Sequence, residues 1–384
     1  MDAEGANAKE ILPAFEHRAG FNVDLQPIPW TAAHQKLLTA YAGGTLPDVT
    51  MISAGWLTEF ATIGAVRPVP ASAAALLADQ FPGVLASAEV GGRAYTVPWT
   101  VDTAVQYHRH DLLAAAGYDA PPPRLDDWKD MLRALKRRSP DSFGVLMQLN
   151  WPDHLIAIAS QNPEPLLRDR QSRGAFNTPG FRAALAFYKS LFDEGLAPLV
   201  TSIEAGDPVG ELARGYVASY ASGAWTRAEL ARRAAELPPE RWAVAPMPGW
   251  EGLGASIVAA SGLSLTRSVR DPDRALQLIA YLTDPAVQVA FFGIAGVLPS
   301  RPTAWRAPAL AADPAIATLA GQLTRARVMP NVPEWPRITT EVQLLAERCV
   351  RGLLTVPQAA AEMDRVADRL LAKRRWLLER GRAA

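Results

Sequence analysis

The sequence predicts an α/β protein of more than one domain, and three observations carry that expectation. At roughly 150 residues per domain, the 384 residues give two to three domains. Hydrophobic residues make up 49% and charged ones 20%, a globular balance that excludes wholesale disorder. Helix starts and stops then alternate along the chain with short apolar or β-branched runs, as helices interleaved with strands do.

The first element predicted is an amphipathic helix over residues 6–18, stopped by Gly20. Phe21-Asn22-Val23-Asp24-Leu25 then alternates apolar and polar side chains as a strand would. Thr31 caps a second helix that carries Leu37, Leu38 and Tyr41 on one face and stops at Gly43-Gly44. Pro47-Asp48 leads from there into the apolar run 49–52. Residues 93–97 and 104–108 are the next strands. The intervening Pro98-Trp99-Thr100-Val101-Asp102-Thr103 disfavours a continuous central strand and marks a candidate crossing between domains. Asp126 is the N-cap candidate of a helix ending near Arg138, with Lys136-Arg137-Arg138 at the end that the helix dipole favours and solvent covers. Thr178-Pro179 sets a capping hydroxyl before a first-turn proline, and Phe181, Leu185, Tyr188, Leu191 and Phe192 follow at helical spacing. Asp271-Pro272 and Asp284-Pro285 repeat that start signal. The last third is mostly helical, with 356–380 the longest run, and no repeat period suggests a solenoid.

Composition and motifs exclude several functions. The 39 basic residues balance 39 acidic ones, so no overall positive field exists to hold nucleic acid. Cys349 is the only cysteine, which rules out an internal disulfide framework and multi-cysteine metal sites. Apolar stretches such as 253–265 and 276–289 are short or interrupted, below the about 18 residues of a membrane span. The polar run 2–9 after Met1 carries no secretory signal, so the expectation is a cytoplasmic protein or one whose leader was removed. Phosphate-binding, dinucleotide-binding, nucleophile-elbow and zinc-protease motifs are all missing from the sequence. His108 and His110, with Asp102 or Asp111, are the nearest approach to a metal set, and they lack a third ligand at diagnostic spacing. No metal or other cofactor is expected.

Eleven tryptophans stand out. Trp56, Trp99, Trp151 and Trp225 lie in Gly, Pro, Ser, Thr or Asn contexts that read as loops or strand ends, whereas Trp128, Trp242, Trp305 and Trp376 lie in helical or strand contexts that read as packing. An indole offers a broad apolar face and one N–H donor, suited to the C–H face of a sugar ring, and equally to core or interdomain packing.

The ordered segments resemble the family 1 extracellular solute-binding proteins of carbohydrate ABC transporters, the maltose- and trehalose-binding group in particular. The resemblance runs from Ile28-Pro-Trp through Gly43-Gly-Thr-Leu-Pro-Asp-Val49, Trp56-Leu-Thr-Glu-Phe60 and Gly92-Arg-Ala-Tyr-Thr-Val-Pro-Trp-Thr-Val-Asp102. It resumes at Ser222-Gly-Ala-Trp225, Trp242-Ala-Val-Ala-Pro-Met-Pro-Gly249, Ala280-Tyr-Leu-Thr-Asp-Pro-Ala-Val-Gln288 and Leu298-Pro-Ser-Arg301. Nearly the whole chain is covered, and the order of the pieces is more specific than any one of them. The resemblance implies the type II, maltose-binding-protein-like periplasmic binding protein fold: two α/β lobes, a hinge and an interlobe ligand cleft. The N-terminal lobe would be 1–103 with 262–300, and the C-terminal lobe 104–261 with 301–384. Crossings would fall near 102–104, 257–262 and 298–301.

The same resemblance assigns a ligand site and no catalytic residues. Glu4 and Asp102 would accept sugar hydroxyls, charge-assisted bonds being the stronger kind. Ser53 and Trp56 would follow the Pro-Asp-Val strand, and Trp99 and Thr100 would belong to the run ending at Asp102. Asn150 with Trp151 would add a loop contact. Trp225 would be the stacking platform with Arg227 close by, Ser261 and Gly262 would bring backbone near the ligand, and Arg301 would reach back as a fork of donors. Surface or interlobe ion pairing is the alternative for Glu4, Asp102 and Arg301.

Two departures from the family pattern stand in the sequence. The family opens with a strand before the first helix, whereas this chain starts Met1-Asp-Ala-Glu-Gly5. Ser53 stands where related proteins carry Asp, Asn or Gly, and Ser261 takes the place of a second cleft aromatic near Gly262. The expected function is that of a monomeric receptor, periplasmic or otherwise extracytoplasmic and membrane-associated. It would bind a small neutral oligosaccharide, a glucose disaccharide such as trehalose or maltose, for an inner-membrane ABC permease. A glycoside-active enzyme using Asp102 with Glu4 or Glu251, and a receptor for another polyol, glycoside or phosphorylated sugar, are the alternatives.

Overall fold

In the computed structural model, which describes residues 2–380, the chain divides into two compact units. The first holds Met1–Asp102, Val258–Ile316 and Asn331–Pro333. The second holds Thr103–Ile257, Ala317–Pro330 and Glu334–Ala384. The chain thus passes between units at 102/103 and 257/258, and again at 316/317 and 330–334, but not at 298–301. Residues 301–316 stay in the first unit because their neighbours hold them there. Leu298–Pro299 pairs with the Val97–Asp102 strand, and Arg301 bonds backbone at 76, 78 and 283.

The first unit is built on an antiparallel sheet in the order Val49–Ser53, Ala259–Leu265, Val97–Asp102, Leu298–Pro299. Ile52, Leu37, Leu57, Phe60, Ile279 and Phe291 pack together in its core. The two aspartate–proline signals open helices as expected: Asp271 accepts the Arg274 N–H ahead of Pro272–Leu282, and Asp284 accepts those of Ala286 and Val287 ahead of Pro285–Ala295. These two helices meet at a 65° bend, and no single described helix is long and apolar enough to cross a membrane.

Several expected elements differ in detail. The opening helix is two, Asp2–Ala8 and Leu12–Ala19, the second stopped by Gly20 in the left-handed region at φ 74°. Residues 21–25 alternate in exposure as a strand would, yet belong to no ladder; alternation records which side faces the core, and a strand also needs a partner. The next helix, Trp30–Ala42, starts one residue ahead of Thr31, with Pro29 at its cap. Pro98 lies in an interior strand after all. A register shift between Ser261 and Gly262 breaks the ladder there, so the missing proline N–H leaves the pairing on either side intact.

The second unit carries an antiparallel sheet in the order Ser219–Ser222, Val105–Arg109, Trp242–Ala245. Beyond its Ser219–Ser222 edge, Phe143 bridges Val217 and Leu146 bridges Tyr220, both in parallel sense. The helix Leu125–Arg138 has Arg124 at its cap and Asp126 in its first turn, and it buries Trp128, whose indole N–H donates to Gln106 Oε1 at 2.6 Å. Thr178 caps Pro179–Asp193 by accepting the Phe181 N–H. The long final helix breaks at Leu371, giving Val356–Leu370, opened by a Thr355/Gln358 capping box, and Ala372–Glu379.

Candidate functional site

In the first unit the cross-strand register decides which polar groups share a face. Ser53 lies opposite Ser261, and Ser261 opposite Thr100, so three hydroxyl residues from three strands form one row. Asp102, two residues beyond Thr100 and opposite Ala259, lies on the same face. Ser53 ends its strand and is the N-cap of the helix Ala54–Thr62, without a side-chain capping bond. Trp56 stands in the first turn of that helix.

Trp56 is half-buried against two rings of the neighbouring helix Trp30–Ala42. Its centroid lies 5.6 Å from Trp30 and 5.2 Å from His34. The Trp30 indole N–H donates to the Glu4 carboxylate, at 3.2 Å to Oε2 and 3.4 Å to Oε1. Glu4 and Trp56, named separately by the sequence, therefore meet the same ring. Trp30 and His34 were not among the expected site residues, although their i, i+4 spacing puts them on one helix face.

Three other expected contacts of this unit have structural partners of their own. Trp99 is 4% exposed and stacks on Phe291, centroids 5.1 Å apart and planes 17° from parallel, so its ring belongs to the core. Gly262 sits in the bulge under the neighbouring strand; a Cβ there would meet the Thr96 hydroxyl and lie 2.8 Å from the Val97 carbonyl. Its small size serves close strand packing. Arg301 donates to three backbone carbonyls, Thr283 at 2.7 Å, Leu76 at 3.0 Å and Ala78 at 3.1 Å. Burial lowers its pKa while Asp79 and Asp284 nearby oppose that shift. This fork ties loops of the first unit together.

In the second unit the parallel bridges Phe143 to Val217 and Leu146 to Tyr220 run the segment ahead of Trp151 beside the strand ahead of Trp225, which itself stands in the first turn of the helix Ala224–Arg232. Both indoles are large apolar groups left 43% exposed, which is uncommon for rings of this size. The turn before Trp225 is fixed by the Tyr107 hydroxyl, which donates to the Gly223 carbonyl at 2.8 Å. Behind it Thr226 donates to Ser222 at 2.7 Å. Arg227 follows half-buried in the same helix, Ala224–Arg232. Asn150 uses both ends of its amide on Ser202, donating to Oγ at 2.8 Å and accepting the N–H at 2.7 Å. It anchors the loop that carries Trp151.

The histidine pair separates. His108 is buried within its strand, where desolvation lowers the imidazole to about 4, whereas His110 begins a helix and is exposed. Asp111 is bonded by Arg109 and Arg241, which hold its carboxyl far below the usual range. Among the described residues no group of three or more His, Cys, Asp or Glu side chains is placed to hold a metal ion.

The architecture is the two-lobed α/β fold of maltose-binding-protein-like periplasmic binding proteins. It matches the sugar-binding protein MalE from the phytopathogen Xanthomonas citri with a TM-score of 0.89 and 39% identity, covering 98% of this chain and 97% of that one. Residues 10–318 match the model for bacterial extracellular solute-binding proteins, and the chain belongs to that family. A putative binding protein of Brucella abortus is 24% identical over 346 residues, 87% of this chain and 82% of its own. A probable ABC transporter-binding protein of Deinococcus radiodurans is 25% identical over 304 residues, 72% of this chain and 68% of its own.

Proposed function

We propose that this protein is the extracytoplasmic receptor of an ABC importer and that it captures a small neutral oligosaccharide, a glucose disaccharide such as trehalose or maltose, for an inner-membrane permease. The observation that carries this is the pair of exposed indoles, Trp151 and Trp225, on the second unit. Apolar ring faces suit the C–H face of a pyranose. The polar complement is the row Ser53, Ser261, Thr100 with Asp102 on the first unit, which offers hydroxyl and carboxylate partners for sugar hydroxyls. Likeness to a sugar-binding MalE and to a probable ABC transporter-binding protein supports the same class.

Binding is the activity, and the protein works as a monomer. A sugar that binds one state of the protein more tightly than another shifts the protein toward that state, by no more than the difference in affinity. Isothermal titration calorimetry against trehalose, maltose, sucrose and glucose tests this. One-to-one saturable binding of one disaccharide is the expected outcome. A folded protein giving no heat with any of the four would defeat the disaccharide assignment, and release of glucose from a disaccharide would defeat the receptor assignment in favour of a glycosidase.

A further inference from the structure

On the first unit, Trp30 is the ring that both Glu4 and Trp56 touch. It opens the helix Trp30–Ala42, and one turn later on the same face comes His34. Across from them the helix Ala54–Thr62 presents Trp56, Glu59 and Phe60, again at one-turn spacing. The two faces interlock. Trp30 lies against Trp56 with planes 60° apart, and His34 meets Trp56 and Phe60 edge to face, at 5.2 and 5.7 Å. The imidazole itself is held by its Nε2, 2.7 Å from the Glu59 carboxylate. His34 therefore has its rotation fixed at one nitrogen while its ring braces Trp56.

We propose that Trp30 and His34 are positioning residues of the ligand site. Trp30 orients the Glu4 carboxylate through its indole N–H and Trp56 through ring contact, while His34, pinned by Glu59, closes the other side of Trp56. The proposal rests on the sugar-receptor reading of Glu4 and Trp56. Two groups meant to meet one rigid ligand gain from being set before it arrives, because side chains ordered on binding lower the affinity. The Glu4 carboxylate stands on the short helix Asp2–Ala8 and the Trp56 indole on a separate helix, and Trp30 touches both.

The test is a titration of wild type, E4Q, W56A, W30F, E4Q/W30F and H34Q with whichever disaccharide of the panel the wild type binds, with melting temperatures measured alongside. Phe keeps a ring against Trp56 but has no N–H for Glu4, so W30F is expected to weaken binding about three- to tenfold at an unchanged melting temperature. Coupling is the diagnostic readout: W30F should weaken binding less in the E4Q background than in wild type, since the charged carboxylate that Trp30 orients is there replaced by a neutral amide. H34Q, which retains a donor for Glu59 but loses the ring, should weaken binding by a similar factor and serves if W30F does not fold. W30F and H34Q binding as tightly as wild type, with E4Q and W56A both weakened, overturns the positioning role alone. E4Q and W56A binding as tightly as wild type overturns the placement of the site on this face and the proposal with it.

Discussion

Trp225 and Arg301 show how a side chain's surroundings separate binding from support. Trp225 leaves much of its indole in water while the turn beneath it is fixed by Tyr107 and Thr226. Removing the ring takes little from the fold and much from any ligand that stacks on it. Trp225→Ala is expected to weaken sugar binding by about 1–3 kcal/mol, the value of a large apolar face covered on binding, with the melting temperature unchanged. Calorimetric titration beside a thermal melt reads both, and unaltered affinity would remove Trp225 from the site. Arg301 predicts the reverse. Arg301→Ala leaves the carbonyls of Leu76, Ala78 and Thr283 without their donor and is expected to lower stability by roughly 1–3 kcal/mol, while protein that remains folded binds sugar as before. A loss of affinity at full stability would return Arg301 to the ligand.

Among the elements, what the sequence could disclose depended on whether the signal was local. Proline after a capping threonine or aspartate marked the starts of Pro179–Asp193, Pro272–Leu282 and Pro285–Ala295, because cap and first turn lie within four residues. The hydroxyl row was visible only as separate residues, since Ser53, Thr100 and Ser261 become neighbours through strand register across more than 200 positions. The same limit hid the roles of Trp99, Gly262 and Arg301. Each matched a family motif, but Phe291, Thr96 and the carbonyl at 76 are distant in sequence. Residues 21–25 had a strand's alternation and no partner to make it one. Gly262 offers the test at this scale. A methyl at this position pushes on the Thr96 side chain and the Val97 backbone, so Gly262→Ala is expected to destabilise the first unit by roughly 1–3 kcal/mol. Thermal melting checks the stability. Hydrogen exchange along 97–102 and 259–265 should rise in step, and unchanged protection there would show that the bulge absorbs the methyl.

For the whole molecule, acid is the condition under which the buried imidazoles of the second unit bear on stability. His108 and His154 are 2% and 7% exposed, and His154 Nε2 has no hydrogen-bond partner among the described residues. Desolvation is the main cause that lowers each from 6.5 to about 4 in the folded protein; at His108 a hydrogen bond with the Gln106 backbone opposes it and neighbouring His110 adds to it. The unfolded chain then binds protons below pH 6.5 that the folded one refuses until about pH 4. Stability from this source is therefore complete above 6.5 and is lost as the pH falls through that window. At 1.36 kcal/mol per unit, each imidazole contributes at most about 3 kcal/mol of the loss. Melting temperatures recorded from pH 7.5 to 4 should fall for the wild type and fall less for His108→Gln and His154→Gln, whose amides do not titrate. A sugar bound at saturation should raise the melting temperature at every pH without changing that slope, because a ligand present at about 100 times its Kd adds some 2.7 kcal/mol to the folded state alone. If both glutamine variants instead follow the wild-type curve throughout, the acid sensitivity arises elsewhere, and the two imidazoles reach solvent or a proton acceptor that their burial does not suggest.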